Sequence, residues 1–182
     1  VLNDLAFQLQ ERGQVEQAVK LVQRAVAIDE TADGGEHPDV AARLNNLATM
    51  LQEQGKLAEA EPLFKQALAM YKKVFGDEHP SVAIGLTNLA RLLQAQEKPA
   101  AAEQMYKEAL AMSRKVHGGE HPHIAATLNN LATLLRTSGR ESEAEPLFAE
   151  AVAMAQKAHG DEHPNVAVGL ENLAQVLQVQ GK

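Results

Sequence analysis

The sequence predicts an all-α fold, an α-solenoid of antiparallel helix pairs with nine helices. Three observations carry this. A motif returns at a fixed interval: Glu36-His37-Pro38 leads to Asn46-Leu47-Ala48, Glu78-His79-Pro80 to Asn88-Leu89-Ala90, Glu120-His121-Pro122 to Asn130-Leu131-Ala132, and Glu162-His163-Pro164 to Asn172-Leu173-Ala174. The four histidines are 42 residues apart each time, with no insertion or deletion, and a fixed period of this size marks units that stack to share one core. Within each period the apolar residues fall at helical spacing. Alanine and leucine dominate, aromatics make up 3 %, and no run reads as a sheet.

The elements follow in chain order. Leu2-Asn3-Asp4-Leu5-Ala6 lies 42 residues before Leu44 to Ala48, so a first helix is already running at Val1. In the next repeat Val40, Leu44, Leu47, Ala48 and Leu51 share one helical face. Pro38 suits the opening turn, where its missing N–H leaves nothing unpaired. Gly55 ends this helix, and Gly13, Gly139 and Gly181 hold the same place; Glu97 stands there in the third repeat, so that turn is expected to close less easily or differently. The second helix spans about Leu57 to Phe75 and turns Ala60, Leu63, Phe64, Ala67, Leu68, Tyr71 and Val74 inward. Pro62 and Pro146 remove one hydrogen bond near a helix start and bend the entry. The helix pairs occupy about 1–36, 37–78, 79–120 and 121–162, and a lone helix closes the array over 163–182. Neither end reads as a cap, so the chain is expected to be a segment of a longer protein.

Composition excludes several roles. The formal charge is −7 and the pI about 5.5, without the basic stripe that nucleic acid needs. Cysteine is absent, which removes disulfides and thiolate metal sites. No apolar run approaches the roughly 18 residues of a membrane span, and no signal peptide is visible. No membrane partner and a cytoplasmic location are the expectations. Neither a nucleophile motif, a phosphate loop nor a paired-carboxylate cleft stands out, so no enzyme, catalytic residue or cofactor is expected.

Leu44, Leu47, Ala48, Leu51, Gly55, Ala60, Phe64 and Ala67 match the tetratricopeptide (TPR) pattern of large and small residues. That repeat usually has about 34 residues. The longer period, with Leu-Asn-Asn-Leu-Ala, Glu-Ala-Glu-Pro-Leu and Gly-Asp-Glu-His-Pro, resembles the kinesin-light-chain type, and the resemblance covers the whole chain. It implies a right-handed superhelix whose concave groove is lined by the first helix of each repeat and binds an extended peptide. It further implies groove positions at Asn3, Asp4, Phe7 and Gln10; at Asn45, Asn46, Thr49 and Gln52; at Thr87, Asn88, Arg91 and Gln94; at Asn129, Asn130, Thr133 and Arg136; and at Glu171, Asn172, Gln175 and Gln178.

Within that set the peptide-binding candidates are Asn45, Asn46, Thr87, Asn88, Arg91, Asn129, Asn130, Arg136 and Asn172. The series Asp4, Asn46, Asn88, Asn130, Asn172 is the most regular. An asparagine amide both donates and accepts, so it can grip a peptide backbone or equally tie one helix to the next. First helices roughly 10 Å apart would match about three residues of extended chain. The first member of each pair varies more and is expected to face solvent and ligand. Arg91 and Arg136 are the positive charges among these positions, and a guanidinium fork matches a carboxylate, so the ligand is expected to carry an acidic feature. Gly85 and Gly169 recur in alternate repeats, which suggests an 84-residue copied unit and a groove whose chemistry alternates.

The histidines His37, His79, His121 and His163 precede prolines, in extended loop geometry where a helix N-cap sits. They read as caps. His117, His121 and His123 lie close in sequence but lack the helix-borne spacing of a zinc site. The sequence therefore predicts a protein-interaction scaffold. Two alternatives are a spacer that self-associates through its ends, giving a homo-oligomer, and a regulatory domain of a larger protein.

Overall fold

A computed structural model describes residues 8, 9, 12, 14–32 and 38–181. Among these there are eight helices: α1 (Val15–Ala32), α2 (Pro38–Glu53), α3 (Leu57–Phe75), α4 (Pro80–Ala95), α5 (Pro99–His117), α6 (Pro122–Thr137), α7 (Glu141–His159) and α8 (Pro164–Gln180). The first of the nine expected helices falls on residues up to about 12, nearly all of which lie outside those described, as do Asn3, Asp4, Phe7, Gln10 and His37. The array is an α-solenoid in which α2/α3, α4/α5 and α6/α7 are antiparallel pairs and α8 is a further first helix.

Helix boundaries follow local chemistry. The side chains of His79, His121 and His163 accept the backbone N–H of Ser81, His123 and Asn165 through Nδ1. A proline follows each cap at the first helical position, where it removes no needed donor. Each capping ring also stacks on the side chain four residues earlier: Phe75 on His79 with centroids 4.0 Å apart, His117 on His121 at 3.6 Å, and His159 on His163 at 4.3 Å. The cap therefore ties the end of one repeat to the start of the next. Pro62 and Pro146 sit inside α3 and α7, and both helices run through them.

The turns within each pair are alike, including the one expected to differ. Glu97 takes φ 58°, beside 76° at Gly55 and 73° at Gly139. The same two bonds close each turn: Glu97 N–H to the Gln94 carbonyl and Lys98 N–H to Leu93, as Gly55 bonds Gln52 and Lys56 bonds Leu51. A side chain in this left-handed region costs roughly 1–2 kcal/mol. Glu97→Gly is therefore expected to stabilise the chain by about 1 kcal/mol, read as a melting-temperature rise of about 2–4 °C.

The core is assembled in layers. Val40, Leu44, Leu47, Ala48 and Leu51 are all buried on α2. On α3, Ala60, Phe64, Ala67 and Tyr71 are buried, while Leu63, Leu68 and Val74 are half-buried. Phe64, Tyr106 and Phe148 hold one position in three successive repeats, and each is fully enclosed. Every second helix packs between its own first helix and the next. Successive first helices also touch, whereas successive second helices make no comparable contact. The row α2, α4, α6, α8 is thus the inner side of the array.

Candidate functional site: the face of the first helices

Asparagines on the inner row meet across repeats. Asn88 Nδ2 donates to Asn45 Oδ1 at 2.9 Å, joining α4 to α2, and Asn172 Nδ2 donates to Asn129 Oδ1 at 3.1 Å, joining α8 to α6. Each bridge joins the first asparagine of one repeat to the second of the next. Each uses one acceptor and one donor, so the amides of Asn45 and Asn129 keep an N–H₂ group and those of Asn88 and Asn172 keep a carbonyl. All four are half-buried.

The joint between α4 and α6 is built differently. Thr87 replaces asparagine and is only 5 % exposed. Its hydroxyl donates to the Ala83 carbonyl at 3.0 Å and lies 3.4 Å from both Thr127 Oγ1 and His123 Nε2. Thr87 therefore faces the neighbouring helix, where α6 sets His123 and Thr127 over it. The contacts between first helices alternate with the two-repeat period read in the sequence. Asn46 is exposed and Asn130 half-buried; neither makes a side-chain hydrogen bond among the described residues.

The two arginines have different neighbours. Arg91 is exposed on α4, near enough to the Tyr106 phenol to oppose the effect of burial, which pushes that phenol up to about 12. The Tyr106 hydroxyl donates to Gln94 Oε1 at 3.1 Å, so a second-helix side chain reaches through the layer to the inner row. Arg136 reaches the other way: its Nη1 donates to Gln175 Oε1 of α8 at 2.8 Å. Its Nε is buried without a partner among the described residues.

Charge pairs link repeats on the outer helices. Arg140 bonds Glu103 at 2.6 Å and Glu143 at 2.7 Å, and Arg114 bonds Glu150 at 2.6 Å. Hydrogen bonds from Lys65 and Gln96 hold the Glu61 carboxyl down to about 2. Among the described residues no three ligating side chains converge as a metal site, and no helix is long and apolar enough to cross a membrane.

The histidine cluster is sensitive to acid. Burial lowers His123, chiefly, with smaller effects from His117 and His121; burial and then His121 lower His117. A depressed folded-state value means that the neutral ring is favoured by folding, so this stability is present above the unfolded value near 6.5 and is lost as pH falls below it. Thermal melting is expected to drop between pH 7 and pH 5.5, and His123→Gln is expected to remove much of that drop. Carboxylates such as Glu61 act in a separate window, below pH 4.5.

A cavity of about 500 Å³ lies between α6, α7 and α8, at the end of the array away from α1. Asn129, Asn130 and Asn165 stand on its rim. Sequence reasoning placed two of these in the groove but gave no sign of the cavity, which depends on small residues from separate helices meeting.

This arrangement of helix pairs, inner row and 42-residue step has known counterparts. The sequence matches the tetratricopeptide repeat over residues 1–73, 42–115 and 81–157. The chain belongs to the tetratricopeptide-repeat family. These TPR pairs are similar to the crystal structure of nearly identical TPR-like repeats of kinesin-light-chain type from Podosopora anserina, at 32 % identity and a TM-score of 0.83, over 99 % of this chain and 85 % of that one. A single-substitution variant of that protein gives 31 % and 0.84 over the same shares. BtubC (BKLC) from P. vanneervenii, at 23 % identity, shares the fold with a TM-score of 0.88 over 99 % of this chain and 72 % of that one. A search of curated proteins finds no match. TPR arrays generally mediate protein–protein interaction and are typically scaffolds without catalysis; the kinesin-light-chain subtype is the one these residues follow.

Proposed function

We propose that this TPR array captures an extended peptide segment of a protein partner along the row α2, α4, α6, α8. The observation that carries the reading is the pair of asparagine bridges, Asn45–Asn88 and Asn129–Asn172. Each bridge leaves free amide N–H donors and a free carbonyl acceptor, so it can pair with both groups of a peptide unit, which carries one donor and one acceptor. Backbone recognition of this kind tolerates many side chains. An acidic feature of the ligand would meet the exposed Arg91 or the Nη groups of Arg136.

A peptide array screened with the purified chain tests this. Asn130→Ala combined with Arg91→Ala removes no hydrogen bond within the described residues, so the fold is expected to be unchanged. Array signals should weaken about tenfold or more, equivalent to ~1.4 kcal/mol. Signals that survive the double change at full strength would move binding off this face.

The alternative reading is a spacer that self-associates through its ends. Sedimentation across a concentration range separates the two readings: the spacer alternative requires assembly that the groove substitutions do not touch.

A further inference from the structure

The cavity between α6, α7 and α8 follows from the sizes of the residues that meet there. The same joint exists three times earlier in the array, at α1–α2, α3–α4 and α5–α6. Between α3 and α4 the Tyr71 ring fills it: Tyr71 is buried, and its Cδ2 would lie 3.6 Å from a Cβ added at Gly85. Between α5 and α6 the residue equivalent to Tyr71 is Ser113, and the larger groups come from the opposite helix, as Thr127 and half-buried His123. Between α7 and α8 the corresponding residues are Ala155 and Gly169, and both sides are small. Val74 and Val116 likewise give way to Ala158. Asn165, which stands where His123 does, is exposed and does not fill the gap. The space left is about 500 Å³, inside the roughly 300–1,000 Å³ of ligand pockets.

Its lining selects the chemistry of the occupant. The lining is largely apolar, with Ala125, Ala151, Met154, Ala155, Ala158 and Val168, and carries the neutral amides of Asn130 and Asn165. Its charged members, Glu120 and Lys157, pair with one another at 2.5 Å, and His121 and His159 also line it. An uncharged ring with a polar edge matches the apolar lining and the amides. The chain itself shows which group fits this joint, since Tyr71 occupies its counterpart two repeats earlier.

We infer that the α6–α7–α8 pocket takes an uncharged aromatic ring of phenol size. Its carrier is a tyrosine or phenylalanine side chain of the peptide held by the Asn129–Asn172 bridge beside it. The ring site stands on the cavity alone, and only its carrier rests on the peptide reading above. An aromatic residue is the expected anchor because buried rings dominate binding energy at interfaces.

Saturation-transfer NMR with N-acetyltyrosinamide, a free ring, tests the pocket directly. The unaltered chain should transfer saturation to the ring protons. Ala155→Tyr restores the filling seen at Tyr71, and Ala158→Val restores the side chain of the second and third repeats with less risk to folding. Each should weaken the transfer about tenfold or more, with thermal melting unchanged or raised. No transfer to the unaltered chain, or equal transfer in all three proteins, would overturn the inference. A second arm replaces every aromatic of the array-selected peptides by alanine. Binding that persists after that change and ignores Ala158→Val would overturn the peptide-borne anchor and leave backbone capture standing. Ring transfer with no array signal would leave the pocket standing and overturn peptide capture.

Discussion

Tyr106→Ala is expected to destabilise the chain by about 3–5 kcal/mol, the cost of emptying an enclosed aromatic position. The Tyr106 ring is wholly buried, with Phe64 and Phe148 in the equivalent places, so the loss is a cavity that its neighbours cannot close. The hydroxyl adds a separate and smaller contribution through its bond to Gln94. Tyr106→Phe is therefore expected to cost about 1 kcal/mol, the usual worth of one hydrogen bond. Urea denaturation followed by circular dichroism reads both. A repeat array need not unfold in one step, so the larger change is expected to broaden or split the transition around the α4/α5 pair.

Removing residues 164–182 is expected to have the next largest effect. Val166 and Val176 of α8 are fully buried, and Leu173 packs against the core cluster that includes Leu131, Leu135 and Phe148. The truncation removes the ~3 kcal/mol that burial of these two valines supplies, at about 1.5 kcal/mol each, and the residues of α6 and α7 that they cover become exposed. Nearest-neighbour coupling in a stacked array confines the loss to the α6/α7 pair. The expected outcome is a lower melting temperature, with hydrogen exchange accelerated in α7 and unchanged in α3. An unaltered melting temperature would mean that α8 does not cover the fourth repeat.

Much of this architecture was legible because local signals agree. Histidine followed by proline opens α4, α6 and α8, and the 42-residue step carries one reading to the next repeat. Pro164 and Gln180 bound the last helix where expected. Glu97 bears the cost expected of a side chain in this turn, but the turn keeps the geometry of Gly55 and Gly139, because a side chain alone does not reveal a backbone imposed by its neighbours. The site was legible in composition but not in pairing. Sequence position singles out Asn45, Asn88, Asn129 and Asn172, yet only the superhelical stagger shows that the first asparagine of one repeat meets the second of the next. Thr87 looked like a groove residue because its burial is decided 36 and 40 residues later, by His123 and Thr127. The cavity did leave a signal, the descending series Tyr71, Ser113, Ala155. It becomes informative only once Ala155 and Gly169 are seen to line one cavity.

The most direct test of peptide capture is to follow the side-chain amide resonances of the asparagines as an array-selected peptide is added to ¹⁵N-labelled protein. The expected result is that the amides of Asn45, Asn88, Asn129, Asn130 and Asn172 shift together with one dissociation constant, while outward positions on α3, α5 and α7 stay still. Shifts confined to those outer helices or to the loops, with the asparagine amides unmoved, would contradict capture along the first-helix row.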